Sequence, residues 1–228
     1  MLTRDLDIVI PLKINGNNDD LRYCLRAIAQ HVEHRKIWIV GQMPDWVTGV
    51  GFIELPFDPN VTKYRRINNN LRAACEHPDV SEHFIRWDDD MFALAPLTGL
   101  NYLHNGVMKS PRRDDIYGES VDETIAALAD LGITMPVNYE LHVPMIFNKA
   151  KLLGLWDDSM VLQYRSYYGN CLNVGGWPMK DNKVYDLQSE TALEGVEFVS
   201  TSNKSFEGGA IGDQLRAMFP NPCRYEVQ

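Results

Sequence analysis

The sequence predicts an α/β protein with an open, mostly parallel sheet flanked by helices. Three observations carry that expectation. The strand candidates near the N-terminus are short, continuous apolar runs, as in sheets covered on both faces. A strand, a helix and a second strand follow one another between residues 8 and 40, the pattern of one right-handed βαβ unit. A later apolar strand runs directly into Asp88-Asp89-Asp90, and ligands of such sheets sit at the carboxyl ends of strands.

The elements follow in order. Ile8-Val9-Ile10, closed by Pro11, is a buried strand. Asn15 to Asp20 is rich in turn formers, and Asn18, Asp19 or Asp20 can cap a helix running to about His31. Leu21, Leu25, Ile28, Ala29 and Val32 make its apolar face. Lys36 to Val40 is a second strand ended by Gly41, and Phe52 to Leu55 a third. Val61 to Cys75 reads as loop then helix, ending near Pro78, and Glu82 to Trp87 as the strand before the aspartates. Beyond residue 95 the pattern is less regular. A polar, mobile loop is expected over Asn105 to Gly118, and a helix over Val121 to Leu131. Leu141 to Phe147 reads as a strand interrupted by Pro144, followed by a short helix to Leu155. A helix at Met160 to Tyr168, a strand at Phe198 to Ser200 and a helix at Gly212 to Phe219 complete the series.

Composition sets limits on function. The chain has 228 residues, 45% hydrophobic and 23% charged, which excludes extended disorder and fibrous repeats. Without an internal repeat or a long linker, one domain over 1–228 is expected. The net charge of −9 disfavours nucleic-acid binding through bulk charge. Cys24, Cys75, Cys171 and Cys223 form no C-x-x-C pair, so free thiols are expected. No leader-like apolar run and no membrane-length span is visible, so a soluble, cytoplasmic protein with no membrane partner is expected.

Three adjacent carboxylates after a buried strand repel one another and resist desolvation. A hard divalent cation, Mg²⁺ or Mn²⁺, relieves both penalties. On an extended chain Asp88 and Asp90 point to one side, where one would bind the metal directly and the other hold it through water or grip a ribose hydroxyl, with Asp88 and Asp89 also candidates to contact the donor. The bland alternative is a solvated acidic turn or a helix cap.

A strand ending in Asp-x-Asp, after a βαβ unit opening with Asp7-Ile8-Val9-Ile10-Pro11, resembles the nucleotide-sugar half of a GT-A glycosyltransferase. Residues 21 to 28, 37 to 46 and 84 to 92 are similar to the second conserved region of Stealth-type capsular sugar-phosphate transferases, and His142-Val143-Pro144 resembles that family's His-x-Pro region. Leu215 to Pro220 is similar to the ending of small phage-encoded glycosyltransferases. The resemblance implies a GT-A-like fold, with residues 1–95 binding the nucleotide sugar and 96–228 the acceptor. It implies Mn²⁺ or Mg²⁺ as cofactor and a nucleoside-diphosphate sugar, UDP-sugar first, as donor. It places Pro11 and Lys13 at the base and ribose. A phage enzyme would glycosylate modified DNA bases in the host cytoplasm, whereas a Stealth-like enzyme would transfer sugar 1-phosphate to a surface polysaccharide. A nucleotidyltransferase is the remaining alternative, although Pro11 to Gly16 lacks its glycine-rich basic loop.

Further candidates come from the residue types themselves. Lys63, Arg66 and Asn70 lie in a polar helical run, and Arg66 and Asn70 share a face that can meet a diphosphate. His142 and Glu140, read as alternating on one strand face, are base candidates toward an acceptor hydroxyl. Asp213, read in a loop after Gly208-Gly209, is another base candidate, against a simple helix-capping role. Asp181 is grouped with Lys180 and Lys183 as phosphate contacts, Arg112 and Arg113 as a closing loop, and Arg165, Tyr167 and Tyr168 as an acceptor platform.

Overall fold

A computed structural model describes residues 2–187, 193 and 195–227. Its main sheet has the order β3-β2-β1-β4-β7, from β1 (Asp7–Leu12), β2 (Ile37–Gly41), β3 (Gly51–Glu54), β4 (His83–Arg86) and β7 (Met145–Asn148). The first four strands are parallel, and only β7 runs antiparallel, along β4. The open, mostly parallel sheet flanked by helices is thus present.

Side-chain alternation explains why both faces are apolar. Ile8, Ile10, Ile37, Ile39 and Ile85 pack on one side against Leu21, Leu25 and Ile28 of α1 (Asp19–His31). Val9, Trp38, Val40 and Phe84 pack on the other against Leu71 and Ala74 of α2 (Lys63–Glu76). Each of these fully buried aliphatic side chains contributes roughly 1.5–3 kcal/mol. Asp7 is 0% exposed at the head of β1, and its burial is offset because Arg35 Nε (2.7 Å), Trp38 Nε1 (2.9 Å) and the Ser81 N–H (2.9 Å) all donate to its side-chain oxygens.

The second half builds around this frame. A small sheet β5-β10-β9 joins β5 (Met91–Ala93), β10 (Phe198–Thr201) and β9 (Lys183–Val184), and a two-stranded piece pairs β6 (Leu103–His104) with β8 (Trp177–Pro178). Helices α3 (Ile116–Asp130), α4 (Lys149–Gly154), α5 (Tyr164–Cys171), α6 (Asn203–Gly208) and α7 (Ala210–Met218) complete the chain.

Several sequence expectations need correction here. Helix α3 starts five residues before Val121, because the Asp115 carboxylate accepts from the Gly118 N–H and caps it inside the expected loop. Residues 141–144 are not a strand: Pro144 has no N–H to give a ladder, and pairing begins only at Met145. Glu140 and His142 therefore have no strand alternation to align them. The expected helix at 160–168 is shifted to α5, the last expected helix is α7, and α6 before it had no counterpart in the sequence reading. Asp213 lies inside α7 rather than in a loop.

Candidate active site

The site lies at the carboxyl edge of the main sheet, where β4 ends and the chain turns into β5. Asp88-Asp89-Asp90 is a turn, not an extended stretch, closed by the Met91 N–H donating to the Asp88 carbonyl (3.2 Å). Trp87 Nε1 donates to the Met91 carbonyl (3.0 Å) and the Thr201 N–H to the Asp90 carbonyl (3.1 Å), so the turn is fixed from both sides. The alternation that would place Asp88 and Asp90 side by side does not apply to a turn.

Each aspartate has its own electrostatic situation. Asp88 faces Arg86 (3.3 Å) and Arg165 (3.7 Å). Burial pushes its carboxyl up, but these two guanidinium groups, helped by His142 and Lys183, outweigh that and hold it at about 2. Asp90 accepts from Lys183 Nζ (2.6 Å) and Ser200 Oγ (3.0 Å). Asp89 is different. Among the described residues no ion pair reaches it, and burial together with Asp20, Asp90 and Asp88 raises its carboxyl well above the usual range. Burial raises Asp20, in the first turn of α1, to about 6, with Asp90 adding to the effect. Cations of the protein thus pair with Asp88 and Asp90, while among the described residues no cation pairs with Asp89 or Asp20.

The opposite wall comes from residues after 138. The Asp181 carboxylate accepts from the His142 N–H (3.2 Å) and lies 2.8 Å from His142 Nδ1. A carboxylate only accepts, so Nδ1 carries a proton, and in the neutral ring that leaves Nε2 as an acceptor. His142 is 31% exposed at its side chain, open enough to meet a ligand. Glu140 spends its Oε1 on the Ser166 N–H in the first turn of α5 (2.8 Å), a helix-terminus contact. Arg165, 2% exposed, gives Nη1 to the Val143 carbonyl (2.6 Å), and its charge interacts with Asp88, Glu140 and Asp181. Burial lowers Arg165 to about 10.

Four buried side-chain atoms among the described residues have no hydrogen-bond partner: Arg86 Nε, Arg165 Nη2, Asn182 Oδ1 and Thr201 Oγ1. Arg86 and Arg165 flank Asp88, Asn182 lies between Asp181 and Lys183, and Thr201 follows Ser200. The two arginines flank the acidic turn directly, and the other two atoms lie on or next to the strands that pack beside it. Buried polar groups without partners cost about 1–3 kcal/mol each, and their concentration in one place marks a site organised for something other than stability.

The structure divides the other candidates. Lys13 is exposed and Arg66 half-buried, and both lie over the ring of Phe57, at 4.6 and 4.7 Å. Arg66 also donates to the Asp58 and Val61 carbonyls, so it braces that loop. Pro11 is within β1 and Lys63 is exposed at the start of α2. Asn70 is buried and donates Nδ2 to the Val40 carbonyl (2.8 Å), and Asn68 likewise to Leu162 (3.0 Å). Both asparagines join elements, and the shared face of Arg66 and Asn70 does not present the amide to a ligand. Asp213 pairs with Arg216 (2.6 Å) at an 80% exposed carboxylate, and no described contact joins it to the acidic turn. Arg113 pairs with Asp115 beside it. Arg165 and Tyr168 are buried, 2% and 3% exposed, and form no acceptor platform. Asp181 is the positioning partner that its grouping with two lysines concealed. A chain 39 residues away in sequence gives no local signal of such a pair.

No family model matches this chain, and no curated protein matches it. Among solved structures it is similar to the apo form of glycosyltransferase GlyE of Streptococcus pneumoniae TIGR4, with TM-score 0.46 and 10% identity over 94% of this chain and 60% of that one. A second structure of GlyE matches with TM-score 0.33 and 11% identity over 79% of this chain and 46% of that one. The chain therefore spans less than two thirds of these proteins, and both likenesses are remote. Among the described residues no helix is long and apolar enough to cross a membrane.

Proposed function

We propose that this chain is a metal-dependent glycosyltransferase of the GT-A type. It would move a sugar from a nucleoside-diphosphate sugar, UDP-sugar first, to an acceptor hydroxyl. The observation that carries this reading is the acidic turn at the carboxyl edge of a parallel sheet, where among the described residues no cation pairs with Asp89 or Asp20 and the Arg86 Nε and Arg165 Nη2 beside Asp88 lack hydrogen-bond partners.

The donor set fits a hard divalent cation. Asp89, with one neighbouring carboxylate, Asp90 or Asp20, would hold Mn²⁺ or Mg²⁺ through oxygen ligands. Asp88 is the least suited of the triplet, since two arginines already engage it. Among the described residues no three His, Cys, Asp or Glu side chains converge on one point, so the donor's phosphates and water would complete the shell. When bound, the cation supplies positive charge opposite the departing diphosphate.

The chain's own residues do the rest. Arg86 and Arg165 keep Asp88 ionised and hold the turn's shape. Lys183 fixes Asp90. His142, oriented by Asp181, offers Nε2 to the acceptor hydroxyl proton, a general-base role that contributes typically 10²–10⁴-fold. Glu140, engaged at α5, is not needed for that step. A thermal-shift panel of nucleotide sugars, each with and without Mn²⁺, tests the reading. A selective, metal-dependent rise in melting temperature is expected, because a ligand that binds only the folded state stabilises it by mass action. The mass of the reaction product then separates transfer of a sugar from transfer of a sugar phosphate.

A further inference from the structure

We propose that the acceptor is an oligosaccharide and that Trp177, with the pocket beside it, forms its platform. The proposal rests on the glycosyl-transfer reading and names the acceptor class for that same site.

Trp177 is 67% exposed, whereas Trp38 and Trp87 are 3% and 0% exposed. A single exposed aromatic residue is ordinary by itself. This one stands on a fixed support. Its N–H donates to the Tyr102 carbonyl (2.9 Å), and it pairs with Leu103 across β6 and β8. The residue before it, Gly176, has φ +136°, and a Cβ there would meet the Tyr102 carbonyl oxygen at 2.6 Å, so only glycine lets the chain pass. Tyr139 Oη donates to the Gly175 carbonyl (2.8 Å) one residue earlier. The ring is held out into solvent by a backbone that cannot fold it back.

Beside it lies an open pocket of about 340 Å³ lined by His104, Asn105, Gly106, Pro178, Met179 and Lys180. The Gly106 N–H donates to His104 Nδ1 (3.1 Å), which leaves the Nε2–H as a donor. Asn105 offers both a donor and an acceptor. A flat apolar face next to uncharged donors and acceptors suits a sugar, whose C–H face packs on an aromatic ring and whose hydroxyls need both kinds of partner. A single-stranded nucleic acid would also stack, but its phosphates require a cationic track. The pocket has one lysine, Lys180, in a chain of net charge −9.

The platform leads to the chemistry. From Trp177 the chain passes Lys180, then Asp181, which orients His142, then Lys183, which holds Asp90. Four residues of extended chain span at most about 13 Å. A short oligosaccharide, with its reactive end at His142 and an inner ring on Trp177, has the reach to join the two.

The test uses the full chain on a glycan array covering hexose, N-acetylhexosamine, uronate and deoxyhexose linkages, with the oligonucleotide dT10 as a parallel probe. The wild type should retain a related set of glycans. Trp177→Ala should weaken that retention at least tenfold, about 1.4 kcal/mol. Trp177→Phe should keep part of it, and both variants should melt like the wild type because the ring is exposed. The proposal is overturned by an array with no retained glycan, by equal retention in Trp177→Ala, or by Trp177-dependent binding of dT10 without glycan binding. Nucleotide-sugar binding with Mn²⁺, measured on the same proteins, separates the two ideas. Donor binding with a Trp177-independent array sinks only the platform. A Trp177-dependent array without any donor binding sinks the transferase reading.

Discussion

Glu226 is the clearest place to weigh one interaction against the whole fold. Its side chain is 2% exposed and accepts from Arg26 Nε (2.7 Å), Arg26 Nη2 (2.9 Å), Arg22 Nη1 (2.7 Å) and the Cys223 N–H (3.0 Å). Arg26 Nη1 reaches on to the Phe219 and Pro220 carbonyls, so this carboxylate ties α1 to the segment after α7. Burial pushes Glu226 up, but the arginine and backbone donors outweigh it and bring the carboxyl from 4.5 down to about 2. At about 1.4 kcal/mol per pH unit, that difference is worth roughly 3 kcal/mol at neutral pH. The native state holds the depressed pKa, so the contribution is complete above 4.5 and is lost as the pH falls toward 2. At pH 3.5 about 2 kcal/mol should remain. Glu226→Gln removes the charge and leaves Arg26 buried without its counterion, a change that costs about 3–5 kcal/mol in such pairs. Urea unfolding of wild type and variant at pH 7 and pH 3.5 measures the difference directly. A gap below about 1 kcal/mol at pH 7, or one equally large at pH 3.5, would refute this account of the pair.

Other perturbations read different parts of the structure. Gly41→Ala should destabilise by about 3 kcal/mol or more, since φ is +114° and the new Cβ would sit 2.4 Å from the Leu12 carbonyl oxygen. Adding Asn70→Ala should not rescue it, because the backbone clash stays, and denaturant titration checks both. Asp181→Asn should lower kcat by a factor approaching that of His142→Gln, on the order of 10²–10⁴, with donor KM retained. The double variant should be no worse than His142→Gln alone, as expected of residues acting as a unit. Asp89→Asn should raise the melting temperature of the metal-free protein by removing repulsion with Asp20 and Asp90, while losing metal-dependent donor binding. A lower melting temperature would mean that Asp89 serves stability instead.

The frame of the main sheet was legible in the sequence. Ile8, Ile10, Ile37 and Ile39 alternate with Val9, Trp38 and Val40, and two-sided burial leaves that signature in β1 and β2. The acidic turn was legible as chemistry but not as geometry, because the chain bends at Asp88 where alternation assumed extension. Asn70 reads from the sequence as a diphosphate contact, but it and Asn68 satisfy carbonyls on neighbouring elements, a task no local pattern reveals. The second sheet was hidden because its strands are two to four residues long and pair across the sequence, β5 with β10 and β10 with β9. The His142–Asp181 pair was hidden for the same reason. Trp177 drew no attention because an exposed aromatic residue has no sequence signature separate from a buried one.

The central claim is that the acidic turn binds a nucleotide sugar through a divalent cation. Isothermal titration of a UDP-sugar panel into the wild type and Asp89→Asn, in Mn²⁺ and in chelator, tests it most directly. The account predicts one or a few binders, seen only with Mn²⁺ and only in the wild type. Binding that persists in chelator and in Asp89→Asn, or no binding by any nucleotide sugar, would contradict it.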